Sequence, residues 1–234
     1  MNKMLVANFK MNLTLDEIEN YKKVMENNTI ENFVIAPSNL YLVPLKSDKY
    51  DLCGQNAYYL NSGAFTGEVS YMQLKSIGVK YCLIGHSERR NVFDESDDDI
   101  RRKLKSCIEN GIIPILCVGE HKKDREDGIA KEVIDSQIKF ALDNMYIDDL
   151  IVAYEPVWAI GTGLIPNMDD IEEMHHYIKE IVGESAKNVK VLYGGSVNEN
   201  NIKDICSIEV VDGVLIGKAS NDPENMLKLY NCIK

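Results

Sequence analysis

Eight short apolar runs recur along the chain: Met4–Phe9, Phe33–Ala36, Tyr50–Gly54, Tyr81–Ile84, Ile112–Cys117, Leu150–Ala153, Val189–Leu192 and Gly213–Ile216. They are nearly continuous in hydrophobicity rather than alternating, which is the pattern of parallel strands covered on both faces. Amphipathic helical stretches lie between most of them. Leu15–Asn27 follows Thr14, a suitable N-cap, and Asp97–Asn110 stops at Gly111, a suitable C-terminal glycine. Ile129–Met145 and Met168–Val182 repeat the arrangement, while Pro223–Cys232 opens with a proline that a first helical turn tolerates. Asn39–Leu45, Ser70–Ile77 and Asn198–Ile205 read as shorter helices. Strand and helix thus alternate without a linker or a change of composition, which predicts one α/β domain over residues 1–234. An open doubly wound sheet shares this periodicity. The first strand lacks a G-x-G-x-x-G turn, however, and eight uninterrupted units are the number that closes a (β/α)8 barrel.

The charge balance narrows the partners. With 26 Lys+Arg against 37 Asp+Glu the net charge is −11, so the chain has no general attraction for nucleic acid or an anionic membrane surface. An anionic substrate therefore needs a local positive site. The six cysteines are widely spaced, form no C-x-x-C pair and mostly sit among Val, Ile and Leu, as buried free thiols of a reducing compartment do. The opening apolar patch is too short for a secretion signal, and nowhere do about 18 apolar residues run together. A cytoplasmic location with no membrane partner is the expectation.

In a closed barrel the C-terminal ends of all strands meet on one face, so polar residues just after each run form one set. They are Asn8, Lys10 and Asn12; Gly85-His86-Ser87-Glu88-Arg89-Arg90; Tyr154-Glu155-Pro156 and the segment to Gly163; Tyr193-Gly194-Gly195-Ser196-Val197; and Ile216-Gly217-Lys218-Ala219-Ser220. The last two are small-residue turns on adjacent strands whose backbone N–H groups suit an anion such as phosphate, although glycines also serve simply to turn a chain. Glu155 ends an apolar strand, where partial desolvation strengthens a carboxylate as a base; a rim glutamate paired with a cation is the plainer reading. Taken singly, Lys10 reads as a solvated lysine and His86 as a packed histidine. A carboxylate, an imidazole and an ammonium converging beside a phosphate cradle suit proton abstraction next to a carbonyl of a small phosphorylated substrate.

Several stretches carry a closer likeness: Asn8-Phe9-Lys10-Met11-Asn12, Gly54-Gln55-Asn56, Gly63–Ser70, Ile84–Arg90, Cys117-Val118-Gly119-Glu120, Ala153–Gly163 and Tyr193–Val197. In these motifs and their order the chain resembles the triosephosphate isomerase family, whose fold is the closed (β/α)8 TIM barrel. The resemblance implies an isomerase of glycolysis and gluconeogenesis that interconverts dihydroxyacetone phosphate and D-glyceraldehyde 3-phosphate without metal or organic cofactor. It implies Glu155 as the base, His86 as the electrophile, Lys10 and Asn8 as stabilisers of charge on substrate oxygens, and Glu88 as an additional active-site carboxylate. The resemblance also implies an imidazole kept neutral by a helix N-terminus, for which Ser87–Arg90 is the corresponding turn.

By the same likeness Gly161, Ser196, Gly217 and Lys218 contact the phosphate. Pro156, Val157, Trp158, Ala159, Ile160, Gly161 and Thr162 form a mobile lid in which Trp158 and Ile160 exclude water. Asn61–Ser70 resembles a loop that reaches a second subunit through Thr66, which implies a homodimer. The chain departs from the family pattern at Lys218, where a second glycine is usual, at Leu164-Ile165-Pro166-Asn167 after the lid, at Asp94 and at Asn221. Two other readings fit part of this pattern: a phosphate-binding barrel enzyme with another sugar or indole phosphate, and a barrel turned binding protein.

Overall fold

The computed structural model describes residues 3–234. Its strands, all parallel, are β1 (Met4–Asn8), β2 (Phe33–Ala36), β3 (Asp51–Gly54), β4 (Tyr81–Ile84), β5 (Ile113–Val118), β6 (Ile147–Tyr154), β7 (Ala186–Tyr193) and β8 (Gly213–Ile216). They pair in chain order, and β8 returns to β1 with Met4 beside Gly213, so the sheet is a closed barrel rather than an open doubly wound sheet. The helices are α1 (Leu15–Glu26), α2 (Tyr71–Ser76), α3 (Ser87–Val92), α4 (Asp97–Glu109), α5 (Lys122–Glu126), α6 (Ala130–Leu142), α7 (Met168–Val182), α8 (Ile202–Ser207) and α9 (Pro223–Asn231).

Side-chain alternation along each strand builds two cores. Met4, Val6, Val34, Cys53, Leu83, Ile115, Cys117, Ile151, Leu192 and Leu215 fill the barrel interior. Their neighbours Leu5, Ala7, Ile35, Leu116 and Val152 face outward and pack under the helices. Both faces are buried, which explains why the strands read as unbroken apolar runs. The cysteines are free; all but Cys232 are buried, and burial pushes the thiols of Cys53, Cys82, Cys107 and Cys117 up.

Helix starts follow local chemistry. Before α4, Ser96 Oγ accepts the Asp99 N–H (3.2 Å) while Asp99 accepts the Ser96 N–H (3.2 Å), a reciprocal cap that satisfies two orphan donors. Asn167 caps α7 through the Asp170 N–H (2.7 Å) and Asp222 caps α9 through the Glu224 N–H (3.0 Å). On α7, His175 is fully buried, edge-on to Tyr154 (ring centroids 5.9 Å apart), with Nδ1 2.7 Å from the Ile171 carbonyl. Burial lowers its pKa to about 4.

Several boundaries differ from the sequence reading. Asn39–Leu45 is not a helix but a single 3-10 turn over Asn39–Tyr41, because Pro44 disfavours helical backbone at the residue before it and offers no N–H. The helix expected over Asn198–Ile205 starts only at Ile202. Ahead of it Asn198 Oδ1 accepts the Asn200 N–H (2.9 Å) and Asn201 Oδ1 accepts the Asn198 N–H (2.8 Å), local bonds that compete with helix. The helix expected over Ile129–Met145 ends at Leu142, and Asn144 beyond it is left-handed at φ 56°. Strands β6 and β7 begin three residues earlier than their apolar runs, at Ile147 and Ala186, because polar residues form this end of the pair. Asn188 there donates to Asp149 at 3.0 Å.

Candidate active site

The ends of β1, β4, β6, β7 and β8 converge on a cavity of about 510 Å³. Asn8, Lys10, His86, Glu155, Gly161, Ser196, Gly217 and Lys218 all line it, together with Ile160. The residues singled out from scattered strand ends therefore share one space.

Glu155, one residue beyond β6, is only 2% exposed, and His86 at the end of β4 only 5%. Glu155 Oε1 is 3.0 Å from His86 Nε2, and Glu155 Oε2 accepts the Ser87 N–H at 3.2 Å. On the other side of the ring, Nδ1 accepts the Glu88 N–H at 3.2 Å, since His86 is the N-cap of α3. The imidazole proton consequently sits on Nε2, facing Glu155. Burial presses the His86 pKa down, but the adjoining Glu155 carboxylate, with Glu88 behind it, outweighs this and leaves it raised. Burial likewise opposes ionisation of Glu155, and His86, the Ser87 N–H and Lys10 overcome it, so its carboxyl lies below its usual value. The pair thus holds an ionised carboxylate against an N–H donor. The rise at His86 comes from Glu155, whereas the backbone N–H on Nδ1 and the start of α3 disfavour a second proton on the ring.

Lys10 is aimed by its backbone. It adopts a left-handed conformation (φ 51°), with its N–H donating to Asn8 Oδ1 (3.0 Å) and its carbonyl accepting from Gln55 Nε2 (2.8 Å) and Ser38 Oγ (3.3 Å). The side chain reaches across to Glu88, with Nζ to Oε1 at 2.6 Å. Glu88 does not itself line the main cavity; it stands behind Lys10 as that lysine's ion-pair partner. This side of the pocket carries two cations, Lys10 and Lys218, in a chain of net charge −11.

After β7 the glycine pair Gly194-Gly195 lies along the cavity wall, and the Ser196 hydroxyl donates to the Ala159 carbonyl at 2.6 Å, tying that wall to the segment that follows β6. In the segment expected to form a lid, Pro156 and Ala159 are buried, Val157–Ala159 form a 3-10 turn, and Gly161 and Thr162 are exposed. Ile160 lines the cavity. Trp158 does not; its Nε1 donates to Glu120 Oε1 (2.9 Å) and Arg125 lies over its ring at 5.3 Å. Glu120 is fully buried and also accepts from Tyr154 Oη (3.1 Å). Glu120 belongs to a sequence motif, but its hold on Trp158 is not legible there; the available signal is a carboxylate two residues beyond an apolar strand. Thr66 does not line the cavity; it sits on an exposed loop tip spanning 61–68. Among the described residues, no cluster of His, Cys, Asp and Glu could hold a metal ion, and no helix is long and apolar enough to cross a membrane.

Comparison with known proteins agrees with this geometry. The family model described as "Triosephosphate isomerase" matches residues 3–233. The triosephosphate isomerase of Aquifex aeolicus is 42% identical over 98% of both chains. That of Thermodesulfovibrio yellowstonii is also 42% identical, over 97% of this chain and 98% of its own. That of Francisella tularensis subsp. mediasiatica is 39% identical over 94% and 92%. With a matched family model from end to end and relatives at this identity, the chain belongs to the triosephosphate isomerase family.

Proposed function

We propose that this cavity interconverts dihydroxyacetone phosphate and D-glyceraldehyde 3-phosphate by moving one proton between adjacent carbons through an enediol or enediolate. The observation that carries the reading is the buried Glu155–His86 pair, 3.0 Å apart, opening on a cavity that also holds Lys10. Glu155 takes the proton from the carbon next to the carbonyl. His86 donates from Nε2 to the substrate oxygens, and Lys10 and Asn8 stabilise the negative charge that builds there. Gly161, Ser196, Gly217 and Lys218 face the phosphate, chiefly through backbone N–H groups because the Ser196 hydroxyl is engaged by Ala159. Pro156–Thr162 close over the substrate: Ile160 shields it from water while Trp158 holds the lid's base to Glu120. No organic cofactor or metal enters these steps.

The reading extends beyond the cavity: residues 1–234 act as one catalytic domain, in the cytoplasm, as a homodimer. Met11, beside Lys10, is 94% exposed, and the Thr66 loop tip is bare throughout, which supports a second subunit covering them. A coupled assay with dihydroxyacetone phosphate tests the reaction. Turnover is expected; its absence in a folded protein would turn the reading toward a binding role. Sedimentation tests the dimer, and a fully active monomer would refute it.

A further inference from the structure

Strands β4 and β5 run side by side as far as Ile84 and Leu116. Beyond that point β4 turns off at Gly85 toward His86, while the chain of β5 continues to Gly119 and Glu120. Successive strand residues direct their polar groups to opposite neighbours. The carbonyls of Val118 and Glu120 accept the N–H groups of Glu155 (2.7 Å) and Val157 (3.0 Å), on the β6 side. Gly119, between them, therefore faces the side that β4 has left.

A side chain takes the place of the missing strand. Gly119 N–H donates to Gln137 Oε1 (3.0 Å), and Gln137 Nε2 donates to the Gly119 carbonyl (3.2 Å). Arg90 bridges the same opening lower down, from Nε to the Gly85 carbonyl (2.8 Å) and from its guanidinium to the Cys117 carbonyl (3.2 Å). Gln137, Gly119 and Glu155 all border a cavity of about 210 Å³ there. Gly119 also lies close against the Glu155 backbone: a Cβ placed on it would stand 1.8 Å from the Glu155 carbonyl oxygen. The two backbones approach more closely than a side chain at 119 would allow, which makes the Gly119 peptide part of the surface that Glu155 rests on.

We infer that Gln137 is a positioning residue for Glu155. Its two-point grip on the Gly119 peptide fixes the surface against which the Glu155 backbone rests, and with it the placement of the carboxylate beside His86. The inference rests on the proposed role of Glu155 as base. Gln137 does not border the main cavity, so it acts through Gly119 rather than on substrate.

The test is a double-mutant cycle of Gln137→Met, a similar shape without hydrogen bonds, with Glu155→Asp, read as kcat and KM. Misplacement of a reacting group by about 1 Å can cost roughly 10²-fold. Gln137→Met should accordingly lower kcat about 10- to 100-fold with KM within about twofold. In the Glu155→Asp background, where the carboxylate is already displaced, it should lower kcat less than about threefold further. Unchanged kcat in Gln137→Met, or the same fold-loss in both backgrounds, overturns the inference. If Glu155→Asp alone keeps full turnover, the base reading has failed instead. Should circular dichroism show Gln137→Met unfolded, Gln137→Glu goes through the same cycle with the same criteria, since it keeps the acceptor for Gly119 N–H and loses the donor.

Discussion

Gly194 and Glu155 share one space: a Cβ added at Gly194 would lie 2.8 Å from Glu155 Cγ and 3.3 Å from the Tyr154 carbonyl. Glu155, the proposed base, is packed against a neighbour whose lack of a side chain leaves room for it. Gly194→Ala should therefore push the carboxylate away from His86. Displacement by about 1 Å predicts a loss of roughly 10²-fold in kcat, at a stability cost of about 1–3 kcal/mol for the overpacking. Kinetics alongside a urea titration separate the two effects, and wild-type kcat in the folded variant would show that Glu155 tolerates the methyl group.

Shortening the base tests the same geometry from the other direction. Glu155→Asp withdraws the carboxylate by about one methylene, again about 1 Å, and should cost roughly 10²-fold in kcat/KM. Retention of full activity would remove Glu155 from its role as base.

Lys218 supplies a charge the pocket would lack with the glycine usual there. Because it is exposed, its attraction for the phosphate is in the range of about 1 kcal/mol, equivalent to roughly fivefold in KM at low salt, and is screened as salt rises. Lys218→Gly should raise KM by about that factor in dilute buffer and converge on the wild type in high salt. Michaelis constants across a salt series check this, and identical values at every ionic strength would leave only the backbone of residue 218 in play.

His175 gives stability a pH dependence. The unfolded chain takes up a proton near the ordinary histidine value of about 6.5, whereas the folded protein resists until about 4. Acid therefore favours unfolding. Stability is lost as pH falls between these limits, by roughly 3 kcal/mol in all, and the loss levels off below the lower one. Urea midpoints from neutral pH to mildly acid pH should fall more steeply for the wild type than for His175→Gln; parallel curves would mean that the ring is already charged in the fold.

The sequence revealed those features that one strand and its end can display alone. The eight apolar runs are visible because both faces of each strand are buried, as Leu5 outward and Val6 inward show for β1. Lys10, His86 and Glu155 stood out as polar residues at the ends of such runs, and closure brought them to one cavity. Less could be read where a structure depends on docking between distant segments. The outer parts of β6 and β7 carry Asp149 and Asn188, whose partnership exists only across the strand pair. Gln137 looked like any polar residue on a helix, because its contact with Gly119 requires α6 to lie over the gap between β4 and β5. Trp158 was expected to shield the substrate, yet its indole is directed to Glu120, a partner on the preceding strand's loop.

The seam between β1 and β8 couples synthesis to turnover. Lys10 is made well before Lys218, and in the closed barrel, where Met4 lies beside Gly213, the two border one cavity. A nascent chain thus holds Lys10 without its partner across the cavity until β8 has been made, and truncation ahead of β8 should leave the chain inert.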